Sequence, residues 1–80
     1  MGFFIFMNYL EKELEYVEKN FNLADVIEFQ RKNRTELIVG GDGQYECWIN
    51  KECFAISLTP LYTLIVGIEN YRKDAKTRNN

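Results

Sequence analysis

The residues best suited to covalent or metal chemistry in this chain are Cys47 and Cys53, because its 80 residues include no histidine. A structural zinc site is typically built from four cysteine or histidine side chains, and one chain supplies two cysteines. A cysteine nucleophile normally needs a neighbouring base, which is usually a histidine. The sequence therefore predicts no metal site, no cofactor and no catalytic cysteine.

A glycine-rich segment, Gly40-Gly41-Asp42-Gly43, has the composition of a phosphate-binding loop. It lacks the lysine, the serine or threonine and the helix that follow in a P-loop. Glycine reaches positive φ at little cost, so we interpret the segment as a hairpin turn. Carboxylates are plentiful but lie in no context that predicts a pocket. We therefore predict that the protein is not an enzyme.

Charged side chains alternate along the chain in acidic and basic blocks. The first block holds the glutamates that could meet a basic protein surface: Glu11, Glu13, Glu15 and Glu18. The basic side chains that could contact phosphate form two groups: Arg31, Lys32 and Arg34, and further on Arg72 and Lys73. With a net charge of −2, the surface as a whole is not that of a nucleic-acid-binding protein.

Helices are predicted near both ends of the chain. Asn8 followed by Glu11 has the spacing of a capping box, which predicts a helix over residues 8–20. Its apolar side would consist of Leu10, Leu14, Val17 and Phe21. Thr59 followed by Pro60 is typical of a cap and a first helical position, which predicts a helix over residues 60–76.

The apolar residues 1–7 are too few to span a bilayer. They also lack the basic leader and the cleavage site of a signal peptide. We interpret this segment as a structured tail or an edge strand. Together with the two cysteines it favours a cytoplasmic protein with reduced thiols and no membrane contact.

The segment Leu23–Lys32 fits two structures. Asn22 could cap a helix, with Asp25 at its third position. Alternatively, Ile27 and Phe29 alternate with polar residues, and a basic cluster follows as in a hairpin turn. We predict a strand, which would extend an antiparallel sheet over residues 23–58.

Residues 35–58 alternate between apolar and polar side chains, as in strands of a half-buried sheet. A two-residue loop at Asn50-Lys51 would place Cys47 opposite Phe54 and Tyr45 opposite Ile56. One face of the sheet would then collect Tyr45, Cys47, Ile49, Phe54, Ile56 and Leu58. Strand alternation also places Cys47 and Cys53 on opposite faces, so no disulfide is expected within the chain.

The same register puts Trp48, the single tryptophan, on the second face. Ile38, Glu46, Cys53 and Ala55 would share that face, which is half apolar. Either a terminal helix or the apolar tail covers Trp48, or the face is a surface for a partner, because tryptophan is enriched at binding hot spots.

The sequence thus predicts one small α+β domain, with a three- or four-stranded antiparallel β-meander between an N-terminal and a C-terminal helix. We predict a protein-binding module, an adaptor or inhibitor of the kind that compact phage genomes encode, whose partner is another protein or a second copy of the chain. The partner-binding residues would be Trp48, Ile38, Glu46, Glu11, Glu15 and Glu18. The alternative is nucleic-acid binding through Arg31, Lys32, Arg34, Arg72 and Lys73.

Overall fold

The computed structural model describes the backbone of residues 2–78 and the side chains of residues 7–78. Its elements are α1 (Gly2–Asn20), α2 (Leu23–Lys32), β1 (Thr35–Val39), β2 (Tyr45–Ile49), β3 (Glu52–Ser57) and α3 (Pro60–Arg78). The three strands form one antiparallel sheet in the order β1-β2-β3. The structure confirms the predicted α+β class, with helices at both ends of a three-stranded meander.

The first helix is longer than predicted. It begins at Gly2, so the tail or edge strand predicted for residues 1–7 is wrong for residues 2–7, and Met1 lies outside the described residues. Asn8 is an exposed residue within the helix and caps nothing. Residues 3–8 contain no glycine or proline that would break a helix. Extending an existing helix through them costs far less free energy than nucleating a new one.

The segment Leu23–Lys32 is a helix, and the predicted strand is wrong. The Asn22 side chain accepts a hydrogen bond from the Asp25 N–H at 3.0 Å, which caps the helix. Val26 and Phe29, three residues apart, are buried, whereas Ile27 is 41% exposed. The alternation of Ile27 with Phe29 therefore did not reflect burial, and the sheet covers residues 35–57 rather than 23–58.

The third helix packs across one face of the sheet. It begins at Pro60 after Thr59, as predicted. A Cβ atom on Gly67 would lie only 2.5 Å from Cys47 Sγ, so glycine is required for α3 to approach β2 this closely. The buried apolar core lies between them and α2, and consists of Val26, Phe29, Cys47, Ile49, Leu64, Ile65 and Ile68.

A buried carboxylate joins α1 to the start of α3. Glu13 is only 8% exposed. Its Oε1 accepts from the Thr59 N–H at 2.8 Å and from Thr59 Oγ1 at 2.7 Å, and its Oε2 accepts from the Leu58 N–H at 3.1 Å. A side chain of one helix thus satisfies the backbone donors at the N-terminus of another, where negative charge is favoured.

The β2–β3 connection is a two-residue loop at Asn50-Lys51, since Ile49 pairs with Glu52. Both loop residues have positive φ, 51° at Asn50 and 72° at Lys51. This combination is typical of the type I′ turns that suit the twist of a two-stranded ribbon.

Beyond this loop the register differs from the prediction. An irregularity follows the Trp48–Cys53 pair, so that Cys47 faces Ala55 rather than Phe54. The extra residue shifts the remaining pairs by one, as in a β-bulge. Tyr45 accordingly faces Ser57, and Ile56 is on the second face and 53% exposed. The predicted pairings Cys47–Phe54 and Tyr45–Ile56 are wrong. The placement of Cys47 and Cys53 on opposite faces is confirmed, since Cys53 pairs with Trp48 whereas Cys47 lies against Gly67 of α3.

Candidate protein-binding surface

The sheet has a second face that points away from α3. Gly67 of α3 approaches Cys47, and side chains alternate between faces along each strand, so Trp48 lies on the other side. The strand pairing gathers six side chains there, which we call the Trp48 face: Glu36, Ile38, Glu46, Trp48, Cys53 and Ile56.

Trp48 lies at the centre of this face. Glu36 of β1 and Cys53 of β3 are its direct cross-strand neighbours. Its indole Nε1 donates a hydrogen bond to Glu46 Oε1 at 3.0 Å, which fixes the orientation of the ring. The side chain is half-buried and does not belong to the apolar core. The C-terminal helix, one of the elements that could have covered Trp48, packs on the opposite face.

Two isoleucines flank the tryptophan. Ile38 and Ile56 both pair with Glu46, one from each side, and are 44% and 53% exposed. The sequence placed Ile38 on this face, but it could not place Ile56, because the bulge that moves it leaves no signal in the loop length. Ile56 takes the place predicted for Ala55, which lies on the opposite face close to Gly67 of α3.

A concave region borders the Trp48 face at Ile56. A depression of about 270 Å³ is lined in part by Tyr9 of α1, Gln44 and Leu58. Tyr9 is 55% exposed, so its ring forms one wall of an accessible cleft. A bulky apolar group that contacts Ile56 could enter this cleft.

The acidic residues of α1 are not all available to a partner. Glu11, Glu15 and Glu18 are exposed and share one stripe of the helix. Glu13 lies roughly half a turn away from this stripe, and its carboxylate already accepts hydrogen bonds from Leu58 and Thr59. The acidic stripe therefore faces away from α3, and no described contact joins it to the Trp48 face.

The basic residues occupy two places in the fold. Arg72 forms a two-pronged contact with Asp25, at 3.0 and 2.9 Å, and also lies 5.3 Å from the centre of the Phe29 ring. The hydrogen bond from Arg72 lowers the pKa of the Asp25 carboxyl, and the same bond raises the pKa of the Arg72 guanidinium. Arg72 therefore holds α3 against α2.

Arg31 and Lys32 lie in the last turn of α2, and Arg34 follows the helix just before β1. Lys32 contacts Glu28 at 3.1 Å, and Arg34 contacts Glu36 at 3.4 Å. Lys73 is exposed on α3. Arg31, Lys32 and Arg34 thus adjoin one another along the chain, and Arg72 and Lys73 are neighbours on a different helix.

The cysteines differ in burial. Burial raises the pKa of the Cys47 thiol to about 11, with a smaller contribution from Cys53. A thiol with such a pKa is almost entirely protonated at neutral pH and is a poor nucleophile. Cys53 is half-buried on the Trp48 face.

Across residues 7–78, no three cysteine or acidic side chains converge as metal ligands would. None of the described helices is long and apolar enough to span a bilayer.

Comparison of the chain with protein-family models, with curated proteins and with solved structures finds no match.

Proposed function

We propose that this protein is a small, non-enzymatic protein-binding module and that the Trp48 face is its contact surface. The observation that supports the proposal is the location of Trp48, Ile38 and Ile56 together on the face opposite α3, outside the core. Apolar surface that leaves water contributes about 25 cal/mol per Å². A central tryptophan flanked by exposed isoleucines is the composition expected of a binding hot spot.

The charges of the face define the partner that would fit it. Glu36 and Glu46 lie among the three apolar side chains, and Arg34 reaches only Glu36. A complementary partner therefore presents an apolar patch with lysine or arginine at its rim. An adaptor or an inhibitor would use such a surface, and the choice between these two roles stays a prediction.

The test is affinity capture of the partner from the native host, followed by binding measurements with variants. Trp48→Ala and Ile56→Ser should each weaken binding by at least about tenfold, because each removes apolar area at the centre of the contact. Leu23→Ser is the matched control, since Leu23 is 60% exposed on α2, away from this face. Unchanged affinity of both face variants would refute the proposal.

A second measurement uses Trp48 as the only tryptophan. When the isolated partner, freed of tryptophan if necessary, is added, Trp48 emission should shift to the blue and acrylamide quenching should fall. Unchanged quenching in a complex would place the contact elsewhere. Charge reversal at Glu11 and Glu15 would then show whether the acidic stripe binds the partner.

The nucleic-acid alternative stays a prediction. Binding of labelled duplex at low salt, with loss in Arg31→Ala/Arg34→Ala, would support it. An absence of binding at low salt, where electrostatic attraction is strongest, would exclude it.

A further inference from the structure

The hydrogen-bonding pattern of β1 shows which of its residues point at β2. Arg34 donates its N–H to Asn50 Oδ1 at 3.1 Å and accepts the Asn50 N–H with its C=O at 2.8 Å. Gly40 donates its N–H to the Gln44 C=O at 2.8 Å. Because the backbone groups of successive residues point to opposite sides of a strand, the even-numbered residues of this segment point at β2.

The odd-numbered residues Thr35, Leu37 and Val39 therefore point their N–H and C=O groups at the outer edge. Among the described residues, no strand pairs with this edge. Leu37, Ile38 and Val39 are 38%, 44% and 61% exposed, so the edge is apolar on both faces. An exposed apolar edge strand is a template for pairing with another strand.

We propose that β1 pairs antiparallel with β1 of a second copy of this chain, across a twofold axis at Leu37. In this register Leu37 faces the partner's Leu37, and Thr35 faces the partner's Val39. Each facing pair exchanges two hydrogen bonds, so all the backbone groups at the edge are satisfied. The two three-stranded sheets become one continuous sheet, and an isologous contact closes as a dimer.

Charge complementarity supports this register. Arg34 comes to lie opposite the partner's Gly40, on the Trp48 face. Gly40 has no side chain, and the Glu46 carboxylate occupies the space above it: a Cβ there would contact Glu46 Oε2 and lie 3.3 Å from Asp42 Oδ1. Each Arg34 thus meets two carboxylates of the other chain, and by symmetry this occurs twice.

Neighbouring registers are less favourable. A shift that centres the axis on Glu36 sets that carboxylate directly opposite the partner's Glu36, which is destabilising. A shift that centres it on Ile38 leaves Thr35 opposite the partner's glycine turn, where no strand continues. The backbone pairing uses the outer edge of β1, and its charge contacts use only Glu46 of the Trp48 face, so it does not depend on the proposed function.

The first test combines sedimentation equilibrium with amide exchange measured by NMR over a concentration series. We expect a monomer–dimer equilibrium. The Leu37 and Val39 amides should become protected from exchange as the dimer population increases. The Glu36 and Ile38 amides, which β2 already protects, should change little. A monomer at all concentrations, or a dimer in which the Leu37 and Val39 amides exchange as in the monomer, would overturn the proposal.

The second test examines the register of the pairing by reversing charges. Arg34→Glu and Glu46→Arg should each weaken self-association by about tenfold or more, because the attraction between residues 34 and 46 becomes a repulsion at both symmetry-related contacts. An equimolar mixture of the two variants should dimerise better than either variant alone, since residues 34 and 46 then have opposite charges at both contacts. Arg31→Glu, on the exposed last turn of α2, is the control that should leave the dimer intact. A mixture that associates no better than either variant alone would overturn the register.

Discussion

The replacement Glu13→Ala should destabilise this protein far more than the loss of an ordinary helix-surface glutamate. The substitution removes a buried carboxylate that accepts from the Leu58 N–H, the Thr59 N–H and the Thr59 hydroxyl. Each part-buried amide left without an acceptor costs about 1 kcal/mol or more. The two amides together give about 2 kcal/mol, which is a large part of the stability of so small a domain.

Urea unfolding monitored by far-UV circular dichroism would measure this change, and thermal unfolding should show a fall of about 8–16 °C. Glu15→Ala is the matched control, because Glu15 is exposed on the same helix, and it should change the free energy of unfolding by about 0.5 kcal/mol or less. Glu13→Gln keeps one acceptor oxygen and should fall between the two. If Glu13→Ala were no more destabilising than Glu15→Ala, the contact between α1 and the start of α3 would not contribute as described.

Two further predictions concern titratable groups. In the folded protein a thiol reagent should modify Cys53 and leave Cys47 unmodified until denaturant is added. Mass spectrometry of the labelled peptides would measure this difference. Equal labelling of both cysteines would contradict the burial of Cys47. The Tyr16 hydroxyl donates to Glu69 at 2.6 Å, and this hydrogen bond, with burial, raises the pKa of Tyr16 to about 12. The unfolded chain loses this proton first, so the stability due to Tyr16 should be complete below pH 10 and disappear between about pH 10 and 12. Tyr16→Phe should show a smaller alkaline loss, measured by urea unfolding at each pH.

Much of the fold follows from local sequence signals. Thr59 and Pro60 mark the start of the last helix because a cap followed by proline suits few other structures. Strand alternation located the sheet and separated Cys47 from Trp48, since side-chain direction in a strand has a fixed period.

The errors arose where one local pattern competes with another or where tertiary contacts decide. Asn22 provides the cap that makes the second helix, whereas the alternation of Ile27 with Phe29 favours a strand over the same residues. The bulge before Trp48 depends on packing across the sheet, which no local sequence pattern specifies.

Glu13 shows the same limit at the level of one side chain. It lies at helical spacing between Leu10 and Val17, so the sequence itself places this carboxylate on the apolar side of the helix. The side chain of Leu14, assigned to that apolar side from its spacing, is 52% exposed. Which partner would satisfy Glu13 could be known only once α3 was in place.

The position of α3 in the chain has a consequence for biosynthesis. This helix packs against all three strands and against α1, yet it is the last of the six elements to leave the ribosome. Leu64, Ile65 and Ile68 then complete the core. Until that moment the sheet lacks the cover of α3 on its Cys47 side, so a nascent chain that ends before Pro60 exposes apolar side chains there. Exposed apolar surface of this kind makes incomplete chains prone to aggregation.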